Sequence, residues 1–418
     1  MAVTPPAGAV PLTPVPGGVC AARGFAAAGV RCGIKRSQRR DVALILATMG
    51  EAVAAGVFTT NVVRAPSVDR NERLLLRSPL VRAVVVNAGN ANAGNGAQGE
   101  RDNEAMARFA AEALEVDPGL VLTASTGVIG TPLPMDLLAQ GIRDAATEVA
   151  PTPEAAANAS EAILTTDLVA KEAAFSVVLP ESGVSVIVGG MAKGSGMIAP
   201  NMATMLGFIT TDALVAPSVL DAALRAAVEV SFNSLTVDGD TSTNDLCLLL
   251  ASGMADNPPI EQASGPDYDA FVAAVTHVCL HLAKAVARDG EGATKLVTVR
   301  VTGAETSADA RKVARTIAES PLVKTALFGN DPNWGRILAA AGRAGVRFDP
   351  KRATADLAGV RIFAAGTPTA FDGPALSKAM SAPEVEIAVD LGMGTAEATV
   401  YTCDLSYDYV RINAEYHT

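Results

Sequence analysis

Two hydrophobic rhythms alternate along most of the chain. Short β-branched runs predict strands at residues 42–46, 83–87, 175–179, 184–188, 246–250, 295–301, 385–389 and 398–402. Ala- and Leu-rich stretches with apolar residues at helical spacing predict helices at 103–114, 135–149, 153–164, 218–231, 268–288, 308–319 and 334–344. This succession predicts an α/β fold with a well-covered sheet. No internal repeat or coiled-coil heptad interrupts it. Gly, Pro, Ser and Asp cluster at 252–267 and 303–308, where an inter-domain break is expected. Residues 1–19 are Pro-rich and patternless, and are read as a disordered arm.

Composition narrows the picture. Over 418 residues, 49% are hydrophobic and 18% charged, so a large core is available and wholesale disorder is excluded. Net charge is −11, with +6 in residues 1–80 and −17 in the rest. The basic end carries no interleaved aromatics, so a nucleic-acid partner is not expected. The uncharged run most tempting as a membrane span, 194–211, contains Pro200, Asn201 and three threonines and would make a poor one. The first residues lack the basic and apolar regions of a signal peptide. Five dispersed cysteines without a CxxC pair fit reduced thiols, and a cytoplasmic location is expected.

Three histidines in the whole chain limit the chemistry. His277 and His281 share a helix turn without the Glu of HExxH, which predicts a half-buried helix face rather than a zinc site. A literal GxGxxG at Gly94, Gly96 and Gly99 stands away from its strand, where a pyrophosphate would not meet the helix N-terminus. Asp238 to Asp245 fails the calcium-loop template at Thr243 and Leu249 and reads as a polar turn. Residues 189–213 differ in kind. A Gly-rich stretch carries Lys193, turns at Pro200–Asn201 and passes through Ala203–Thr204 into an apolar run. Such a backbone can let a threonine hydroxyl attack its own preceding carbonyl. Cleavage would leave Thr204 with a free α-amine of near-neutral pKa, a base that needs no histidine. Spacing alone favours an ordinary loop entering a buried strand.

GMAKGSGMIAPNMATML (190–206) resembles the self-processing segment of the ornithine acetyltransferase (bifunctional glutamate N-acetyltransferase, ArgJ) family of arginine biosynthesis. GVFTTN (56–61), VNAGNANA (86–93), STGVIG (125–130), LTTD (164–167), VDGDTSTND (237–245), RDGEGATK (288–295), GNDPNWGRI (329–337) and DYVRINAEY (408–416) are similar to family segments, in order. The resemblance implies stacked mixed sheets between helix layers, of the self-processing N-terminal-nucleophile type. It implies cleavage between Ala203 and Thr204 into an α chain ending at 203, its ordered part beginning at 20, and a β chain of 204–418. An α₂β₂ heterotetramer is implied as well.

By the same resemblance Thr204 is the nucleophile, and Thr126 and Gly127 form the oxyanion hole. Substrate contacts fall to Thr165 or Thr166, Lys193, Thr204, Glu291, Asn413 and Thr418. A cation at Lys193 suits a substrate carboxylate, and a carboxylate at Glu291 suits the ornithine side-chain ammonium. The implied reaction moves an acetyl group from N2-acetyl-L-ornithine to L-glutamate through acetyl-Thr204. No metal or redox cofactor is required, with acetyl-CoA a further co-substrate in some members. The rival readings are an N-terminal-nucleophile aminopeptidase or amidase, which gives the acyl group to water, and a non-catalytic dinucleotide-binding protein.

Overall fold

A computed structural model describes residues 10–199 and 205–415. The first strands are β1 (Leu12–Pro14), β2 (Phe25–Val30), β3 (Val42–Ala47), β4 (Ala52–Phe58), β5 (Leu80–Val81), β6 (Ala83–Asn90), β7 (Val121–Val128), β8 (Lys171–Val178) and β9 (Ser185–Lys193). After them come β10 (Leu206–Thr211), β11 (Leu246–Ala251), β12 (Leu296–Ala304), β13 (Thr354–Leu357), β14 (Val360–Ala364), β15 (Thr367–Pro368), β16 (Glu384–Asp390) and β17 (Ala396–Cys403). The helices are α1 (Pro66–Arg77), α2 (Gly96–Leu114), α3 (Met135–Glu148), α4 (Pro153–Ala162), α5 (Pro217–Val230) and α6 (Pro266–Arg288). They continue with α7 (Ser307–Ala318), α8 (Pro321–Phe328), α9 (Trp334–Gly342), α10 (Gly373–Met380) and α11 (Tyr407–Glu415).

The described residues form three sheets, ordered β1-β8-β9-β10-β11-β4-β5, β2-β3-β6-β7 and β15-β14-β13-β16-β12-β17. Each is mixed: β10–β11, β6–β7 and β12–β16 pair in parallel, and the remaining neighbours are antiparallel. Side-chain alternation explains why β10 and β11 read as unbroken apolar runs. Leu206, Phe208, Leu246, Leu248 and Leu250 face the four-stranded sheet. Ile209, Cys247, Leu249 and Ala251 face the core built with α5 and α6. The far side of the four-stranded sheet is covered by α2 and α3 through Met106, Leu138 and Ile142. Helix layer, sheet, sheet and helix layer are therefore stacked, the expected fold class. The third sheet has its own core with α7 and α9, where Val299 and Val301 meet Val313, Ile317 and Ile337.

Two expectations are corrected. Residues 10–19 are not a disordered arm: Leu12–Pro14 pairs antiparallel with β8 at the sheet edge. An edge strand tolerates proline because its outer side needs no ladder donor. Val19 is fully buried, and its carbonyl accepts the Thr210 hydroxyl. Neither 252–267 nor 303–308 separates units: the first leads from β11 into α6, and the second is the β12–α7 turn. The third sheet begins at Leu296, so the junction is the turn after α6. Helix α6 is the one described helix long and apolar enough to cross a membrane, and 56% of its apolar window is buried inside the protein. His277 and His281 lie on its exposed flank with their rings against Phe175, and burial of the rings lowers both pKa values.

Candidate active site

The site is built on the parallel pair β6–β7, whose register shifts at Gly89 and Asn90. The Asn-rich stretch from Asn87 to Asn92 is spent on holding that irregular end. Asn87 donates to the Asn90 carbonyl (2.8 Å) and accepts from the Ser125 hydroxyl (2.7 Å). Asn90 donates to the carbonyls of Thr131 and Pro132, and Asn92 to that of Gly99. From the VDGDTSTND loop, Asn244 donates to the carbonyls of Ala91 (2.6 Å) and Ser125 (2.9 Å). These buried amides leave the backbone around Thr126–Gly127 little freedom. Gly127 has φ +131°, and a Cβ there would lie 2.3 Å from the Gly89 carbonyl carbon. Only glycine fits.

Opposite, Lys193 ends β9, and its ammonium donates to Thr126 Oγ1 at 3.3 Å. Both side chains are buried. A donor into that oxygen leaves the hydroxyl hydrogen free to turn toward a third atom. Lys193 is set by a buried ionic cluster. Asp167 accepts the Lys171 ammonium (2.7 Å) and the Gly194 N–H (2.7 Å) on Oδ1, and the Thr165 N–H (3.1 Å) on Oδ2. Asp289 accepts Lys171 (2.6 Å) and the Leu168 N–H (3.0 Å). Burial pushes the Asp167 carboxyl up, but the charges of Lys193 and Lys171 and its hydrogen bonds overturn this and hold it well below the ordinary carboxylate range.

The Asp289 carbonyl takes the Ser195 hydroxyl (2.7 Å), and the Glu291 N–H reaches the Ser195 carbonyl (3.0 Å). A Cβ on Gly196 would lie 2.3 Å from a Glu291 oxygen, so the Gly-rich stretch lets that carboxylate approach. Asn413, on α11, donates to Glu291 Oε2 at 2.8 Å. The segment just before residue 200 is also anchored. Asp238 accepts the N–H groups of Met197 (2.7 Å) and Ile198 (2.8 Å). Met197 sits at φ +55°, an uncommon conformation for a non-glycine residue.

One cavity is lined by Thr126, Gly127, Thr165, Thr166, Lys193, Glu291 and Asn413, residues scattered over the whole sequence. Both threonines of the LTTD turn border it, so the structure does not choose between them. Ala203, Thr204 and Thr418 lie outside the described residues. Ile198 and Met205, on either side of 200–204, also line the cavity. Sequence reasoning missed Asp167, Lys171, Asp289 and Asp245 as functional positions. Their signal was four ionisable residues standing beside apolar runs.

The ArgJ family profile matches residues 26–418. The chain belongs to the ArgJ family. The chain is 53% identical to the arginine biosynthesis bifunctional protein ArgJ of Symbiobacterium thermophilum, over 96% of this chain and 99% of that protein. It is 50% identical to its counterpart from Gloeobacter violaceus, over 97% and 98% respectively. A solved ArgJ chain from Bacillus halodurans matches at 43% identity with a TM-score of 0.50, covering 51% of this chain and all of that one. This ArgJ-family chain is thus an acyltransferase of arginine biosynthesis. A non-catalytic dinucleotide-binding protein is overturned. Gly96 opens α2, and Asn92, not a free cleft, fills the space at Gly99.

Proposed function

We propose that this protein transfers the acetyl group of N2-acetyl-L-ornithine to L-glutamate, using Thr204 as nucleophile after cleavage between Ala203 and Thr204. The observation that carries this reading is the convergence of Thr126, Gly127, Lys193 and Glu291 on one cavity flanked by Ile198 and Met205. The match of a whole solved chain to 51% of this one supports a two-chain product. Thr204 Oγ attacks the acetyl carbonyl carbon while its proton passes to the α-amine of the same residue. The oxyanion is held by the Thr126 hydroxyl, freed for this by Lys193, and by the Gly127 N–H. The C–N bond breaks, the ammonium returns the proton to the leaving nitrogen, and ornithine departs. The α-amine of glutamate then takes the acetyl group by the reverse sequence.

Lys193 supplies the cation for the substrate carboxylate, and Glu291, steadied by Asn413, pairs with the side-chain ammonium of ornithine. Neither half-reaction calls for a metal or redox cofactor. Acetyl-CoA is a second donor to be assayed, in keeping with the word bifunctional in the names of both relatives. The reading includes an α₂β₂ assembly and a cytoplasmic location, where these metabolites are made.

Denaturing intact-mass spectrometry tests it first. The expected result is two fragments, the second beginning at Thr204. A single 42.5 kDa species removes Thr204 as nucleophile. Acetyl transfer to glutamate is then expected from acetylornithine, whereas release of acetate without need of glutamate marks an amidase. Native mass then reads the assembly.

A further inference from the structure

One buried cation beside the site has no task in that scheme. Lys35 lies in the connection between β2 and β3, and only 9% of it is exposed. That connection is tightly held. Asp41, fully buried just before β3, accepts the N–H groups of Cys32 (2.6 Å), Gly33 (3.0 Å) and Lys35 (3.0 Å) on its carboxylate. Its carbonyl takes the Ala88 N–H at 2.8 Å. The connection is therefore fastened to β6, one strand of the parallel pair on which the site is built.

The two halves of the Lys35 side chain touch different parts of the site. Its stem lies against Gly89, which sits at φ +107°. A Cβ on that glycine would come 3.0 Å from Ile34 Cγ2 and 3.1 Å from Lys35 Cγ. Gly89 in turn is the partner of Gly127 in the ladder and fills the space where a Gly127 Cβ would stand. Lys35, Gly89 and Gly127 thus stack in that order, so slack behind Gly89 reaches Gly127 directly. The Lys35 ammonium donates to the Arg40 carbonyl and, at 3.0 Å, to that of Ala162, the last residue of α4. The Leu164 N–H continues that helix end onto the Glu161 carbonyl (3.3 Å), and Thr165 and Thr166 follow at once. The nearby acids are spent elsewhere: Asp41 on backbone N–H groups, and Glu161 on Arg40 at 3.2 Å. A lysine charge is costly to bury without a carboxylate in contact. Burial pulls its pKa down to about 8, against the opposing charges of Asp41 and Asp167. An alkyl chain would fill the same space without that cost, so the ammonium is explained by the two carbonyls it holds together.

We propose that Lys35 is a positioning residue for acyl transfer, its stem bracing the Gly89–Gly127 pair and its ammonium anchoring the helix end from which the Thr165–Thr166 turn springs. This rests on the assignment above of Gly127 to the oxyanion and of that turn to the substrate. Lys35 is not among the residues that line the cavity, so it acts through what it holds. The two halves therefore act on different constants. A displaced oxyanion donor weakens the transition state alone and lowers kcat. A loosened ground-state contact is lost equally before and during reaction and raises KM.

The experiment compares steady-state acetyl transfer by wild type, Lys35→Met and Lys35→Ala as purified full-length protein, with denaturant unfolding of each. Methionine keeps the stem and loses the ammonium. Its KM for acetylornithine is expected to rise roughly fivefold or more while kcat stays within about twofold of wild type. Alanine removes the stem as well, and its kcat should fall roughly tenfold below that of Lys35→Met. A lowered unfolding midpoint with both constants kept in both variants gives Lys35 a packing role only and overturns the proposal. An unchanged KM in Lys35→Met overturns it too, as does a kcat in Lys35→Ala equal to that of Lys35→Met. Should Lys35→Ala not fold, Lys35→Met decides alone. Thr126→Ala, with Thr165→Ala and Thr166→Ala, reads the assignments on which this rests. If these three behave as wild type, those assignments fail and this proposal with them. If they lose kcat and raise KM respectively while the Lys35 variants do neither, only this proposal fails.

Discussion

Two buried aspartates flank the same region and are treated in opposite ways. Asp167 is saturated, with two N–H groups and a lysine on its oxygens, and remains ionised. Asp245 keeps one oxygen without a partner among the described residues, and burial raises its carboxyl well above the ordinary value. The difference separates a carboxylate held by its neighbours from one left partly unengaged. A carboxylate with both oxygens engaged fixes the LTTD turn and the Gly194 backbone beside Lys193. A buried carboxyl group is therefore informative only together with its partner count.

The largest expected effect comes from breaking the saturated side. Lys171→Met leaves Asp167 and Asp289 buried without their shared cation. Denaturant unfolding should show a loss of about 3–5 kcal/mol. Thr126→Ala removes the hydroxyl that Lys193 orients. Steady-state kinetics should show a fall in kcat worth about 2.7–4 kcal/mol with KM little changed, and wild-type kcat would remove Thr126 from the oxyanion hole.

The two aspartates also predict opposite pH slopes, measurable by unfolding across pH. The folded pKa of Asp167 is lowered, so its contribution is present above the unfolded value and is lost as pH falls through the folded one. The folded pKa of Asp245 is raised, so its contribution is full below the unfolded value of about 3.9 and fades as pH rises. Relative to wild type, Asp245→Asn should gain at most about 1.4 kcal/mol per pH unit above that point. A flat difference would mean that Asp245 is ionised in the fold. The smallest effect belongs to Asn413→Ala, which loses one bond to Glu291 from a surface helix. Roughly 1 kcal/mol, a several-fold rise in the KM for acetylornithine, is expected.

The expected strands at 246–250 and 83–87 are found because β-branched and leucine runs buried on both faces have few alternatives. Strands β2 (FAAAGV) and β4 (AVAAGVF) escaped because alanine and glycine carry little strand signal, and only the neighbouring layers make them strands. The cavity residues were legible through long motifs, and their convergence through none. Lys171 lies four residues from Asp167 but 118 from Asp289, and only the fold joins the three. Asp245 looked like the last residue of a polar turn. An aspartate entering six fully buried residues was the available signal, and it was read as punctuation.

The seven-stranded sheet gives the proposed cleavage a mechanical meaning. Strands β10 and β11 come from after Thr204, and they lie between β9 and β4, which come from before it. The two products would be joined like a tenon in a mortise, with a hydrogen-bonded ladder on each side. Neither could leave without dismantling the central sheet, so folding has to precede the cut. An opened molecule that is fully unfolded would have to find its other half again. Its recovery should then depend on protein concentration, whereas that of the uncut chain should not.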